Sequence, residues 1–278
     1  LTVIPFDVVK WPLGAVVSWN DLLQARPAVQ NELATVAALL GQTPNVIAVG
    51  RVKADGRPGS STGPTTLERP GRSKPDLVAV HGLTSHTTAI VSAAVARLLE
   101  AADQRDDQQT QTAAGKPQTI KAVLMTGCDK PEDWKAPQDR PLDPQLGAGL
   151  LNFDQSLQIH EKGPVENPDA ITDMGWDYGE LRSGKVAAYN FELTEPAVDL
   201  VATLVWHRRV DPAELRNLRT GEKAWLPMPY DAHFRLQLNR LDTVGPPEPI
   251  VESNSRVDHV QHLTWPELEP GRYQLRVF

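Results

Sequence analysis

The side chain best placed for chemistry in this chain of 278 residues is Ser85, at the start of a long apolar stretch. Small apolar residues from Ala89 to Leu99 predict a buried helix that begins near Ser85. A hydroxyl in the first turn of such a helix lies beside unpaired backbone N–H groups and the positive end of the helix dipole, which suits a nucleophile. A serine there also suits a simple helix cap. Both interpretations are open at this stage.

A serine nucleophile needs a base, and two histidines stand close to Ser85 in the sequence. His86 follows it directly, but neighbouring residues on a helix point about 100° apart, so we expect His86 to turn away from the hydroxyl. His81 precedes the turn at Gly82 and could approach Ser85. Residues 1–44 contain no histidine. The sequence therefore leaves the base unassigned.

The charge and the amino-acid composition of the chain limit the partners and cross-links that it can have. The net charge of −7 and the pI near 5.5 argue against nucleic-acid binding, because no basic stripe is present to neutralise phosphates. Cys128 is the single cysteine, so the chain forms neither an intrachain disulfide nor a zinc site built on paired thiolates. No apolar run approaches the roughly 20 residues that span a bilayer. The first residues also lack the basic start and apolar core of a signal peptide.

The first 160 residues show strand and helix patterns in alternation. Strands are expected at 13–19, 45–52 and 77–80, helices at 29–40 and from Ser85 onward, a further apolar segment at 119–125, and a turn into a short helix at 147–159. The polar segment 103–118 is expected to be a mobile surface insertion. Such alternation predicts an α/β fold with a mainly parallel sheet and helices on both faces.

The composition changes after residue 160. Residues 161–172 are rich in Gly, Pro, Asn and acids, which indicates a linker between a first domain at 1–160 and a second at 173–278. The second domain has strand-like segments at 185–193, 198–207, 233–241, 257–265 and 272–278. These segments predict an antiparallel β-sandwich or jelly roll.

Two groups of side chains contain residue types that bind metal ions. His259 and His262, with Asp258 and His207 nearby, form one candidate, but residues three apart on a strand point to opposite faces, which argues against convergence. The second candidate is a loop with the acids Asp129, Glu132 and Asp133. Carboxylates are calcium ligands, so a structural calcium ion there is left open, beside the alternative of a solvated acidic loop.

Six motifs in order resemble the second half of the catalytic domain of subtilisin-like serine proteases. They include a Val-Ile-x-Val-Gly strand, a Ser-x-x-Gly-Pro turn, a Lys-Pro-Asp segment before a strand, the Thr-Ser of the nucleophile motif, a strand after the nucleophile helix and a Gly-x-Gly turn. In this chain they fall at 45–50, 60–64, 74–79, Thr84-Ser85, 123–126 and 147–151.

The resemblance implies that Ser85 is the nucleophile of a serine endopeptidase that cleaves polypeptides without a required cofactor. It implies a secreted, cell-surface or periplasmic protein. The family's histidine and aspartate motifs are not found, so the triad His and Asp are unknown, and Leu83 stands where the family has glycine. The alternative is a catalytically inactive subtilase-like binding or surface protein.

Residues 173–278 resemble the β-sandwich domains of the pre-peptidase or proprotein-convertase type that follow many subtilase catalytic domains. The similarity rests on strand pattern and on the closing Pro270-Gly271-Arg272-Tyr273 segment. It implies a stabilising or substrate-binding accessory; a plain sandwich with Trp206, Phe234 and Trp265 in its core explains the pattern equally well.

Overall fold

The computed structural model describes most of the chain from residue 45 onward. The described residues are 45–60, 62–65, 71–171, 173–207, 210–216, 223–229, 232–242, 247 and 249–278. The strand expected at 13–19 and the helix expected at 29–40 lie outside them.

The first part of the described chain contains one small sheet and four helices. Its elements are β1 (Val49–Val52), β2 (Leu77–Val80), α1 (Thr84–Asp103), α2 (Gln108–Ala114), α3 (Pro117–Thr126) and α4 (Phe153–Lys162). Strands β1 and β2 pair in parallel, with Val49 opposite Leu77 and Val52 opposite Val80. Helix α1 packs against both strands.

Helix α1 is held by one apolar stripe. Its buried apolar residues recur three or four positions apart, as the core-facing side of a helix requires: Val91, Ala94, Val95, Leu98 and Ala102. Leu98 is fully buried, and the stripe joins a core that also contains Leu77 of β2 and Leu124 of α3. Because this core fixes the helix, the position of its first turn is fixed as well.

The second part is antiparallel. Its strands are β3 (Ala187–Leu193), β4 (Ala197–Val205), β5 (Val210–Arg216), β6 (Lys223–Pro229), β7 (Leu236–Arg240), β8 (Pro249–Ser253), β9 (Val260–Leu268) and β10 (Gly271–Val277). A four-stranded sheet has the order β3-β10-β7-β8, while β4 pairs with β9 and β5 pairs with β6. Side chains of the larger sheet and of the β4–β9 pair share a core around Leu236, Leu263 and Val277.

The expected fold class, an α/β fold with a mainly parallel sheet and helices on both faces, is wrong. In the part of the chain that the structure describes, only β1 and β2 form a parallel sheet, and most strands are antiparallel. The segment 123–126, which resembles the strand after the nucleophile helix of subtilisin-like proteases, lies within α3, as does the apolar segment 119–125. Pro117 occupies the first turn of that helix, and the buried Ile120, Val123 and Leu124 follow helical spacing. Segment 103–118 likewise contains α2.

The helical and antiparallel parts contact each other directly. Helix α3 packs against β4, where the Thr126 hydroxyl donates a hydrogen bond to Thr203 Oγ1 at 2.9 Å. Trp176 and Val260 belong to the same buried cluster as α1 and α3. The division into domains at 1–160 and 173–278 stays a prediction, and the two parts share an apolar contact across it.

Gly147 lies very close to the backbone of Pro75 and Asp76, so a substitution at Gly147 tests how tightly these segments pack. Its φ is +62°, and an added Cβ would lie 2.5 Å from the carbonyl carbon and oxygen of Asp76 and 2.7 Å from the Pro75 oxygen. We expect Gly147→Ala to lower the free energy of unfolding by about 2–3 kcal/mol, since a backbone clash adds to left-handed strain. Urea unfolding would measure this, with Gly82→Ala as control because Gly82 has open space around its Cα. Equal midpoints for both variants would contradict the prediction.

Candidate functional site

Ser85 is the second residue of α1, at the end of a short connection from β2. Strand β2 ends at Val80 and α1 begins at Thr84. The Thr84 hydroxyl lies 3.1 Å from Ser60 Oγ, which accepts a hydrogen bond from the Arg51 backbone N–H at 2.7 Å. The loop after β1 is thereby tied to the start of α1. Ser85 itself is exposed, and its hydroxyl makes no hydrogen bond with any described residue.

The backbone at the start of α1 leaves donors open. The N-cap residue is Leu83, with extended backbone at φ −130° and ψ 140°, and no side chain caps the helix. The first helical bonds run from the His86 and Thr87 N–H groups to the Leu83 carbonyl, at 3.1 and 3.2 Å. The N–H groups of Thr84 and Ser85 precede these bonds and point out of the helix end. The capping interpretation of Ser85 is therefore wrong, because Leu83 holds the cap position.

His81 and His86 contact each other. Their Nδ1 atoms are 3.1 Å apart and their ring centroids 4.4 Å apart, in an edge-to-face arrangement. Both side chains are exposed. Neither imidazole hydrogen-bonds with the Ser85 hydroxyl. The chain has seven histidines, all among the described residues, and none of them hydrogen-bonds with that hydroxyl.

Three large apolar side chains near the start of α1 are exposed. Val80, Leu83 and Ile90 are 47%, 55% and 41% exposed, and they lie at the end of β2, in the connection and on the first turns of α1. Exposed large apolar side chains that cluster in one place mark contact surfaces for peptide or protein. These side chains offer apolar contacts for another polypeptide near the start of α1, and Ile90, five positions after Ser85, points about 140° away from it.

A buried charge cluster that the sequence did not reveal lies just before β2, at the end of the strand opposite Val80 and the start of α1. Asp76, 1% exposed, accepts hydrogen bonds from the Ala48 N–H at 2.6 Å and from Arg72 at 3.2 Å, and Lys121 Nζ lies 3.0 Å from its carboxylate. Burial alone would raise the pKa of Asp76, but Lys121 and Arg72 outweigh it and hold this pKa below its ordinary value. The cluster connects β1, β2 and α3. The signal in the sequence is a carboxylate immediately before a buried strand.

The two histidines of the first candidate metal site, His259 and His262, do not come together in the structure. His262 is buried, and its Nδ1 lies 2.8 Å from Thr203 Oγ1. The centroid of its ring is 5.9 Å from that of Trp134, whereas the ring centroid of His259 is 6.1 Å from that of Trp206. The two imidazoles thus have different surroundings. Burial, assisted by Lys130, lowers the pKa of His262 well below 6.5 and keeps the ring neutral.

The remaining candidates are the acidic residues of the second possible metal site and the single thiol. Asp129, Glu132 and Asp133 are exposed, and Asp129 accepts a hydrogen bond from the Asn152 amide at 3.0 Å. Across the described ranges, no group of three or more His, Cys, Asp or Glu side chains is arranged to hold a metal ion. Burial raises the pKa of the Cys128 thiol to about 12, so Cys128 is not a nucleophile at neutral pH.

Comparisons with known proteins assign this chain to no family. Neither the protein-family models nor the curated proteins contain a match to this chain. Among the helices that the structure describes, none combines the length and the apolar character needed to cross a membrane.

Proposed function

We propose that the chain carries the nucleophile, Ser85, of a serine endopeptidase of the subtilisin type that cleaves polypeptides outside the cytoplasm. The observation that supports this proposal is the exposed hydroxyl of Ser85, which no described residue hydrogen-bonds, beside the open N–H groups of the first turn of α1. The antiparallel part, residues 173–278, serves as its accessory.

The reaction follows from this placement. The Ser85 oxygen attacks the carbonyl carbon of a peptide bond while its proton passes to an imidazole, and the carbonyl oxygen takes the negative charge. The backbone N–H of Ser85 donates a hydrogen bond to that oxyanion at the positive end of α1. The tetrahedral intermediate expels the amine, which takes the proton from the imidazolium. Water then releases the acyl group from Ser85 by the same steps.

The imidazole has to come from a polypeptide segment other than the described residues in their present arrangement. All seven histidines of the chain are accounted for there, and none contacts the Ser85 hydroxyl. Val80, Leu83 and Ile90 are exposed apolar side chains near the start of α1, and such a segment would pack against them. Docking of that segment would complete the site.

A fluorophosphonate probe tests the proposal on the polypeptide as the cell produces it. We expect a covalent adduct, mapped by peptide mass spectrometry to Ser85, that Ser85→Ala abolishes. Ser92→Ala is the matched control, since Ser92 lies on the same helix and its hydroxyl is bonded to the Thr88 carbonyl at 2.7 Å. Absence of an adduct on Ser85, while a control protease is labelled in the same mixture, would reject the proposal.

The second candidate is a catalytically inactive subtilase-like binding or surface protein. The observation that favours it is the lack of contact between Ser85 and any of the seven histidines. It predicts that Ser85→Ala leaves binding to polypeptides unchanged and that neither form hydrolyses them. Loss of peptidase activity in Ser85→Ala would exclude this candidate.

A further inference from the structure

We infer that His81 and His86 form a two-imidazole binding site for a divalent late transition-metal ion, at the surface beside Ser85. The inference does not depend on the proposed function, because it concerns the two histidines and not the serine.

The spacing of the two rings carries the inference. Two nitrogen ligands of one ion, each about 2.0–2.1 Å from it and separated by an angle of about 90–109°, lie roughly 2.9–3.4 Å apart. The Nδ1 atoms of His81 and His86 are 3.1 Å apart. His86 Nδ1 lies almost as close to His81 Nε2, at 3.3 Å, as to His81 Nδ1, so it is off the in-plane lone pair of either nitrogen. An ion with ordinary metal–nitrogen bond lengths fits between the two Nδ1 atoms once the exposed His81 ring turns its Nδ1 lone pair toward His86.

The backbone holds both ligands before an ion arrives. The His81 N–H donates to the Val52 carbonyl at 3.0 Å, which adds His81 to the end of the β1–β2 sheet. The His86 N–H donates to the Leu83 carbonyl at 3.1 Å in the first turn of α1. The Arg51 side chain donates to the Gly82 carbonyl and fixes the connection between them. Binding thus requires little ordering of the chain.

Competing contacts at the two rings are weak. The Leu83 N–H lies 3.4 Å from His81 Nδ1, at the long limit of a hydrogen bond, so an ion displaces little by taking that lone pair. His81 Nε2 lies 3.3 Å from His86 Nδ1. Both imidazoles are exposed, so the remaining coordination positions are open to water or to a ligand from another molecule.

The ligand type selects the ion. Imidazole nitrogen suits Cu²⁺, Zn²⁺ and Ni²⁺, whereas Mg²⁺ and Ca²⁺ require oxygen ligands. The Irving–Williams order predicts that Cu²⁺ binds more tightly than Zn²⁺. The net charge of −7 favours the approach of any cation.

Titration of the full chain with Cu²⁺, followed by calorimetry and by electron paramagnetic resonance, tests the inference. We expect one ion per chain with two nitrogen ligands in the spectrum. His81→Ala and His86→Ala should each weaken binding at least about tenfold, and the double variant should lose the nitrogen signal. Both side chains are exposed, so circular dichroism should show unchanged folding.

Two control variants make the result specific. His233→Ala removes an exposed histidine of the antiparallel part, and Ser85→Ala removes the hydroxyl that precedes His86 in the sequence; both should bind Cu²⁺ like the original chain. Unchanged Cu²⁺ binding in the His81→Ala/His86→Ala double variant would overturn the inference, as would equal losses in His233→Ala. Failure of fluorophosphonate labelling would leave this result untouched, so the two proposals fail separately.

Discussion

Asp76→Asn is expected to lower the free energy of unfolding by about 3–5 kcal/mol, because it removes the carboxylate from a buried ionic cluster. Arg72 and Lys121 have side chains only 5% and 6% exposed and would lose the carboxylate that lies 3.2 and 3.0 Å from them. The asparagine amide keeps one acceptor oxygen, so it can serve either the Ala48 N–H, at 2.6 Å, or the Arg72 guanidinium, at 3.2 Å, but not both. Urea unfolding followed by circular dichroism would measure the loss.

The control for Asp76 is an exposed ion pair of similar type. Glu100 pairs with Arg97 three residues earlier on α1, and their side chains are 51% and 63% exposed. Glu100→Gln should change stability by less than about 0.5 kcal/mol, since exposed pairs contribute little. Similar losses in the two variants would contradict the role given to Asp76.

The contribution of Asp76 to the free energy of unfolding should also depend on pH. Its pKa in the folded protein is lowered by Lys121 and Arg72 against the effect of burial, whereas an unfolded aspartate titrates near pH 3.9. The ion pairs therefore contribute stability above about pH 4, and this contribution is lost as pH falls through the folded pKa. The stability difference between the original chain and Asp76→Asn should stay constant from pH 7 to 5 and shrink below about pH 4.

Local patterns predicted the surroundings of Ser85 well. The strand at 77–80 and the helix after it lie where the apolar runs indicated, because a buried strand and a long buried helix leave distinct hydrophobic patterns. Helix α3 was missed because a short apolar run fits a strand or a helix equally, and Pro117 was the signal that distinguishes them.

Other features could not be predicted from sequence spacing. Strands β5 and β6 contain Pro212 and Pro227, which argue against strands except at edges, and these two strands pair only with each other. The contact of the His81 and His86 rings depends on the exact path of the connection at Gly82. The bond between Ser73 and Asp258 joins residues 185 positions apart, and no local pattern encodes such a contact.

Asp258→Asn should destabilise the chain by about 3 kcal/mol and loosen the contact between its helical and antiparallel parts. Asp258 is 5% exposed and accepts hydrogen bonds from the Ser73 N–H at 2.5 Å and from the Ser255 hydroxyl at 2.7 Å. Arg140 Nη1 lies 3.5 Å from the same carboxylate and also donates to the Gly71 carbonyl at 2.7 Å. The loop before β2 is therefore fastened to the segment before β9 through one side chain.

Asp139→Asn is the matched control, because Asp139 is the other carboxylate beside Arg140 but is 85% exposed, at 4.0 Å. It should leave the unfolding midpoint within error, since a solvated pair at that distance contributes little. Hydrogen exchange at the Ser73 amide separates the two effects of Asp258→Asn. Faster exchange there under native conditions indicates that the loop has left the antiparallel part, whereas a global loss of stability alone accelerates exchange throughout the core. Unchanged protection of the Ser73 amide would show that Asp258 does not fasten the loop.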